Sequence, residues 1–348
     1  MGEITRKFCS ICGAGNPIGS SYCCVCGSSL SGEEQYPADI SLAPDTPLQN
    51  GRYIVKRLIR ADISLLYTGR HTFLDHPVFI LEYFGHCNRQ GTKVQPLEGT
   101  ESLFENSKRW LAHNARLLFK LNHPGIVRVY DAFEENNTVY MVMEFLKGKP
   151  LSRLLDERGG VMEEAEAVGY IVQVAEALEV VHQAGYLHRD IKPDNIFICL
   201  DGRVVLALGF DIARPYRKMR CPICGSDVPM DEMVCPVCDG EITKTEETVE
   251  TEMEPVLTPG YAPLEQYGEK GRFGPPLDIY ALGATLYHLL TGQMPPSAPD
   301  RIQGLDLIPP HQLNPKVSRK VSDAVMKAMA MRIDERPQRV WAFIEALR

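Results

Sequence analysis

A chain of 348 residues with 44% hydrophobic side chains is long enough for one large domain with small modules attached. Its 37 Lys and Arg against 45 Asp and Glu leave a net charge of −8, which argues against a chain built mainly to grip nucleic acid or anionic membrane. No apolar run approaches the roughly 18–20 residues of a membrane-spanning helix, and the opening residues reach cysteines without an apolar core, so neither a membrane segment nor a secretory signal is read. The 11 cysteines are therefore expected in a reducing cytoplasm.

In chain order, residues 1–30 come first and carry Cys9-x2-Cys12-x10-Cys23-x2-Cys26. The same spacing returns in residues 215–252 as Cys221-x2-Cys224-x10-Cys235-x2-Cys238. A Cys-x-x-Cys turn aims two thiolates at one point, and two such turns close a tetrahedron that zinc accepts. Paired disulfides are the alternative, disfavoured by the repetition and by the reducing compartment. Both sites read as closed, structural zinc ribbons, since segments this short cannot fold on an apolar core and take their folding energy from the metal. The basic residues beside them, Arg6 and Lys7 or Arg214 to Arg220, form no clear face, and an acidic run from Glu241 to Glu254 follows the second ribbon.

Residues 31–50 are polar and proline-punctuated and read as a linker. Strands are predicted at Tyr53–Leu58, Leu65–Thr68 and Val78–Leu81, an amphipathic helix at Phe104–Leu121, and two further strands at Val127–Phe133 and Thr138–Phe145. After Gly148 the pattern is mostly helical, with Glu163–Ala184 and Ile279–Thr291 the strongest stretches. The expected fold class is α+β: a β-rich lobe over 51–146, then a helical lobe over 147–348 interrupted by the second ribbon.

His188-Arg189-Asp190-Ile191-Lys192-Pro193-Asp194-Asn195 resembles the catalytic loop of Ser/Thr protein kinases at every fixed position. Thr258-Pro259-Gly260-Tyr261-Ala262-Pro263-Leu264-Glu265 is similar to the end of an activation segment. Asp278-Ile279-Tyr280-Ala281-Leu282-Gly283 is similar to the helix beneath it, and Arg336-Pro337 to the closing element of that family. His123-Pro124-Gly125-Ile126-Val127 and Tyr140-Met141-Val142-Met143-Glu144 resemble the bacterial members in particular. The resemblance implies a two-lobed kinase fold with Asp190 as catalytic base, Lys192 as phosphate contact and Asn195 as metal ligand. It also implies a buried ion pair between Glu265 and Arg336, and places the second ribbon inside the activation segment.

The ATP-handling positions depart from that pattern. Ile59, Ala61 and Ser64 stand at the three positions of the Gly-rich loop, where backbone N–H groups need to approach phosphates without a Cβ in the way, and Asp62 adds negative charge. The strand that should read Val-Ala-Ile-Lys reads Val78-Phe79-Ile80-Leu81, so the phosphate-pairing lysine is Leu81 and Phe79 stands where alanine is usual. The glutamate partner of that lysine aligns with Asn114, a matched loss, because a glutamate facing leucine would be an unpaired buried charge. The metal-binding Asp-Phe-Gly reads Gly209-Phe210-Asp211, and Asp211 would need a remodelled turn to act as the ligand. Phe79, with Leu66 and Phe197, is expected to fill the adenine space with side chains.

The expectation is a pseudokinase: a zinc-stabilised signalling scaffold in which Asp190, Lys192 and Asn195 persist as structure, ATP and magnesium are not held in the ordinary way, and the partner is a protein, such as an active kinase or its substrate. An atypical active Ser/Thr kinase using Asp190, Asn195 and a relocated Asp211 is the first alternative. A nucleic-acid adaptor led by the ribbons is the second.

Overall fold

The computed structural model describes residues 40–85, 87–210, 212–216, 221, 223–224, 235, 237–238, 240, 257–268 and 273–348, together with the backbone of 6–8, 15–17, 211, 218–220, 227–229, 251–252 and 270–271. The chain forms two compact units. One takes residues up to Asn122 with Val127–Lys149 and Cys199–Gly202, and the other takes His123–Ile126, Pro150–Ile198 and Arg203–Arg348.

The strands in chain order are β1 (Arg6–Phe8), β2 (Gly15–Pro17), β3 (Pro47–Leu48), β4 (Tyr53–Ala61), β5 (Ser64–His71), β6 (His76–Tyr83), β7 (Cys87–Gln90), β8 (Lys93–Pro96), β9 (Val129–Glu135) and β10 (Thr138–Glu144). In the first unit they build a six-stranded sheet in the order β3-β4-β5-β6-β10-β9, and β7 and β8 form a separate hairpin. In β6, Val78, Ile80 and Glu82 face one side and Phe79, Leu81 and Tyr83 the other, and all six are buried, so the strand is covered on both faces. Helix α1 (Glu101–Lys120) covers the Leu81 face, with the Phe104 ring 5.5 Å from that of Tyr83 and Leu111, Ala115 and Leu118 buried along its inner stripe.

Three differences from the sequence reading stand out here. The strands β4, β5 and β6 are each longer than predicted, because ladder pairing runs past the apolar cores into polar ends such as Arg60 and Arg70. The hairpin β7–β8 has no counterpart in the prediction. Of the stretch read as a linker, the described part is not bare chain: Pro47–Leu48 pairs with Ile54 and Tyr53, Leu48 is fully buried, and the Leu42 N–H donates to the Tyr67 hydroxyl at 3.1 Å. A buried Leu42 and Leu48 outweigh the polar composition around them.

The second unit is helical, with α2 (Leu151–Glu157), α3 (Glu164–Gln183), α4 (Pro275–Thr291), α5 (Ala298–Ile302), α6 (Pro310–Leu313), α7 (Arg319–Ala328) and α8 (Val340–Leu347). Helix α4 begins on Pro275 and Pro276, whose missing N–H groups are orphans in a first turn anyway, and ends on Gly292 at φ 70°. It is apolar almost all round and buried from Pro276 to Tyr287, as the central helix of the unit should be. A Cβ at Gly283 would sit 2.8 Å from the Ala328 Cβ, so glycine there lets α4 and α7 approach closely. Among the described residues no helix is long and apolar enough to cross a membrane.

The two cysteine modules share one backbone plan. Strand Lys218–Arg220 precedes Cys221 and pairs with Asp227–Pro229, registering Lys218 with Pro229 and Arg220 with Asp227. In the first module β1 pairs with β2, registering Arg6 with Pro17 and Phe8 with Gly15. Both hairpins therefore lie at the same positions relative to their cysteines.

Candidate active site and metal centre

The catalytic-loop residues are brought together in the second unit, beneath α3 and α4. Asp278, from the first turns of α4, is fully buried; its carboxylate accepts the backbone N–H groups of His188 at 2.9 Å and Arg189 at 2.7 Å, and contacts His182 Nε2 at 2.8 Å. Burial alone would push this carboxyl up, but His182, His188 and the Arg189 N–H outweigh it, and the net shift is below the usual range. Asp278 thus holds the loop in place with a charge that backbone donors solvate.

Asp190 receives three donors. Its Oδ1 accepts the Thr258 hydroxyl at 2.7 Å, and its Oδ2 accepts Asn195 Nδ2 at 2.7 Å and faces Lys192 Nζ at 2.8 Å. Lys192 also donates to Thr258 Oγ1 at 3.1 Å, and Asn195 Nδ2 to the Asp190 carbonyl at 2.7 Å. Burial raises the Asp190 pKa, yet Lys192 and the hydrogen bonds from Thr258 and Asn195 carry it below the ordinary carboxylate value, so the group is ionised at neutral pH. Glu265 and Arg336 form the expected pair in bidentate geometry, at 2.6 and 3.0 Å, with the Arg336 side chain fully buried.

Asp190 and Asp278 give a pH prediction with a definite sign. Each has a folded pKa below its unfolded value near 3.9, so each contributes stability that is complete above about pH 4 and is lost as pH falls through the lower folded value. Thermal melting followed from pH 7 to pH 2 is expected to show a fall beginning below about pH 4, with a limiting slope of roughly 1.4 kcal/mol per pH unit for each carboxylate. Asp278→Asn should remove its share of that slope; a variant whose acid limb matches the parent's would contradict the assignment.

Gly209 lies beside this cluster at φ 88° and ψ −1°, a left-handed conformation. A Cβ there would stand 2.6 Å from His188 Cε1 and 2.8 Å from Asn195 Nδ2. Those two atoms are held: His188 Nε2 bonds the Leu208 carbonyl at 2.9 Å and Asn195 is tied to Asp190, so the space of a carboxylate is occupied by catalytic-loop side chains. Phe210 packs edge-on against His188, with ring centroids 4.6 Å apart. The side chain of Asp211 lies outside the described residues.

In the first unit, Leu81 pairs with Leu66 on one side and Met141 on the other, so a lysine's place is taken by an apolar row across three strands. Phe79 is buried with its ring 4.9 Å from Phe145, and Asn114 is fully buried on α1. The loop between β4 and β5 is a closed hairpin pairing Ala61 with Leu65, and none of Ile59, Ala61 and Ser64 has positive φ. Its backbone donors at the tip are spent internally, the Asp62 N–H on the Ser64 carbonyl and the Ile63 N–H on the Asp62 carboxylate, while the Ile63 carbonyl accepts from Phe84 and Gly85. Asp62 is also paired with Arg60 at 3.2 Å. Within this unit the residues present do not fit a nucleotide's phosphates, because Leu81 has no donor and the backbone donors at the hairpin tip are spent internally.

The sequence reading missed a buried polar network on the opposite face of β6. Glu82 is fully buried and pairs with Arg89 at 2.6 Å, while the Tyr67 and Tyr140 hydroxyls donate to its two oxygens at 2.8 and 2.7 Å. Arg89 further donates to the carbonyls of Ile40 and Thr92, at 2.7 and 2.9 Å. Burial and the Glu82 charge push both tyrosine pKa values far up, so the hydroxyls stay protonated donors. A glutamate directly after the apolar run Val78–Leu81 and an arginine seven residues on were the signal available.

Among the described residues the one cluster of metal-ligating side chains is Cys221, Cys224, Cys235 and Cys238, whose sulfurs all lie within 4.8 Å of one another. The Cys221–Cys238 and Cys224–Cys235 separations are both 3.6 Å. A tetrahedral zinc with bonds of about 2.3 Å has sulfur–sulfur edges of about 3.8 Å, so the donor set fits that ion. Burial pushes the Cys235 thiol up to about 12, so metal loading has to displace its proton. Cys9, Cys12, Cys23 and Cys26 lie outside the described residues.

A sheet unit, a helical unit and an Asp-Lys-Asn loop clamped by a buried aspartate define a protein-kinase type of chain. The protein kinase domain family matches residues 100–340, and the chain belongs to that family. It is similar to the serine/threonine-protein kinase Pkn1 of Myxococcus xanthus, 27% identical over 305 residues that make up 84% of this chain and 37% of that protein. The probable serine/threonine-protein kinase PknB of Lactococcus lactis is 26% identical over 292 residues, 81% of this chain and 39% of that protein. Among solved structures, PpkA-294 in its apo form has a TM-score of 0.69 at 28% identity, covering 89% of this chain and 100% of that one. The chain spans between about a third and about half of the length of the curated relatives it matches.

Proposed function

We propose that this kinase-fold chain is a pseudokinase that works as a zinc-stabilised signalling scaffold, binding a protein partner such as an active kinase or its substrate in the cytoplasm. The observation that carries this reading is Gly209, whose left-handed backbone and contacts with His188 and Asn195 fill the place of a metal-binding carboxylate. Leu81 in its apolar row and the closed β4–β5 hairpin support it from the nucleotide side. Losing several charge-stabilising groups, each worth about 2–4 kcal/mol of barrier, leaves little phosphoryl transfer. Zinc in both ribbons is part of the same reading. The tetrahedral fit of the second cluster and the matching hairpin register of the first support it.

A second reading, an atypical active kinase, is favoured by the ionised Asp190 with Lys192, Thr258 and Asn195 arranged around it. Calorimetric titration of ATP into zinc-loaded protein, with and without magnesium, separates the two. The scaffold predicts no magnesium-dependent heat up to millimolar nucleotide. Magnesium-dependent binding would transfer the argument to the active reading.

A further inference from the structure

The inserted cysteine module is bolted to the catalytic loop at both of its ends. On the way in, Leu187 and Tyr186 pair with Arg214 and Pro215, the Tyr216 N–H donates to the Gly185 carbonyl at 2.9 Å, and the Tyr216 hydroxyl reaches the His182 carbonyl at 3.1 Å. The hairpin strand Lys218–Arg220 starts two residues later and runs directly into Cys221. On the way out, Thr258 donates to Asp190 and accepts from Lys192, while its carbonyl accepts the N–H groups of Tyr261 and Ala262. Arg189 sits between these anchors at φ 72°; its guanidinium donates to the Ile212 carbonyl at 3.3 Å and its own carbonyl accepts Gln266 Nε2 at 2.9 Å. The loop's order thus depends on backbone groups of the segment that carries the ribbon.

We propose that the Cys221, Cys224, Cys235 and Cys238 cluster is a control site, at which loading of a soft divalent metal fixes the inserted hairpin and through its two anchors holds the catalytic loop in order. This deepens the zinc reading above and rests on it. Four thiols would release their protons to solvent and close one tetrahedron, turning Cys221 to Cys238 into a single rigid knuckle. The entry side has almost no free chain between that knuckle and Tyr216, so its rigidity passes directly to the pairing at Tyr186–Leu187. On the exit side the chain is pinned at Thr251–Glu252, which pairs with Lys270–Gly271, and the knuckle roughly halves the number of residues between Tyr216 and that pairing, which changes its opening equilibrium by about two- to threefold. The metal takes the part that a phosphate would play in ordering such a segment.

The test is amide hydrogen exchange on the full chain, zinc-loaded against chelator-stripped and zinc-restored, with metal content measured by mass spectrometry. Stripping is expected to speed exchange at 185–190 and 214–216 at least threefold, and at 258–262 about twofold, while amides within α4 stay protected and report an intact fold. Cys224→Ser, which alters the exposed ligand, should reproduce the stripped pattern. Thr258→Val should speed exchange at 188–192 with metal content unchanged. Faster exchange confined to 218–256, or an unchanged loop in Thr258→Val, overturns the proposal while leaving zinc binding in place. Failure of the reduced chain to take up zinc at all sinks the zinc reading, and this control site with it.

Discussion

Glu82→Ala is expected to destabilise the protein by about 3–5 kcal/mol. The carboxylate has no exposed surface, and its removal leaves the Arg89 guanidinium buried at 3% exposure without its counter-charge. Two buried tyrosine hydroxyls, on Tyr67 and Tyr140, lose their acceptor in the same step. Each orphaned donor costs on the order of 1–3 kcal/mol of desolvation that water no longer repays. Glu82→Gln keeps one acceptor oxygen and should fall between the parent and the alanine variant. Urea unfolding with unchanged m-values would measure this; a shift under about 1 kcal/mol for Glu82→Ala would mean that the network is solvated in solution. Because Arg89 also holds the Ile40 carbonyl and Tyr67 holds the Leu42 N–H, the variant should release the 40–42 segment to proteolysis before the sheet unfolds.

That network also marks where sequence reasoning stopped. The kinase fold was legible because its motifs are local: His188 to Asn195 and Asp278 to Gly283 are contiguous strings, and their contact through Asp278 follows from the family pattern. The same holds for the second cysteine set, whose two Cys-x-x-Cys pairs bring four sulfurs together without long-range information. Glu82 and Arg89 come from two separate strands, joined by two tyrosines 15 and 58 residues from Glu82, and no local pattern links them. The linker reading of 31–50 fell short for a related reason, since burial of Leu42 and Leu48 depends on a sheet formed by later residues. At the candidate site, the exchange of Asp for Gly at 209 was visible as a letter change. That His188 and Asn195 close over the position could be seen only in three dimensions.

Gly209→Asp, the substitution that writes the kinase letter back, is expected to lower stability by about 2–4 kcal/mol and to restore no magnesium-dependent nucleotide binding. Two costs combine. A side chain at φ 88° and ψ −1° carries a backbone penalty of roughly 1–2 kcal/mol. Overpacking against His188 and Asn195, with a Cβ at 2.6 and 2.8 Å from their nearest atoms, adds about 1–3 kcal/mol because neither side chain can yield without breaking a hydrogen bond of its own. Asn195 would have to leave Asp190 to make room, which weakens the one charge cluster the site retains. Gly209→Ala isolates the Cβ from the carboxylate, and it should carry most of the loss. Melting temperatures of the two variants beside calorimetry with magnesium and ATP give the decision. An aspartate variant as stable as the parent, showing new magnesium-dependent heat, would mean that the catalytic loop opens readily and that one substitution separates this chain from a working metal site. A destabilised variant that stays silent would mean that the loop has repacked around glycine, so that restoring the aspartate alone does not restore a metal site.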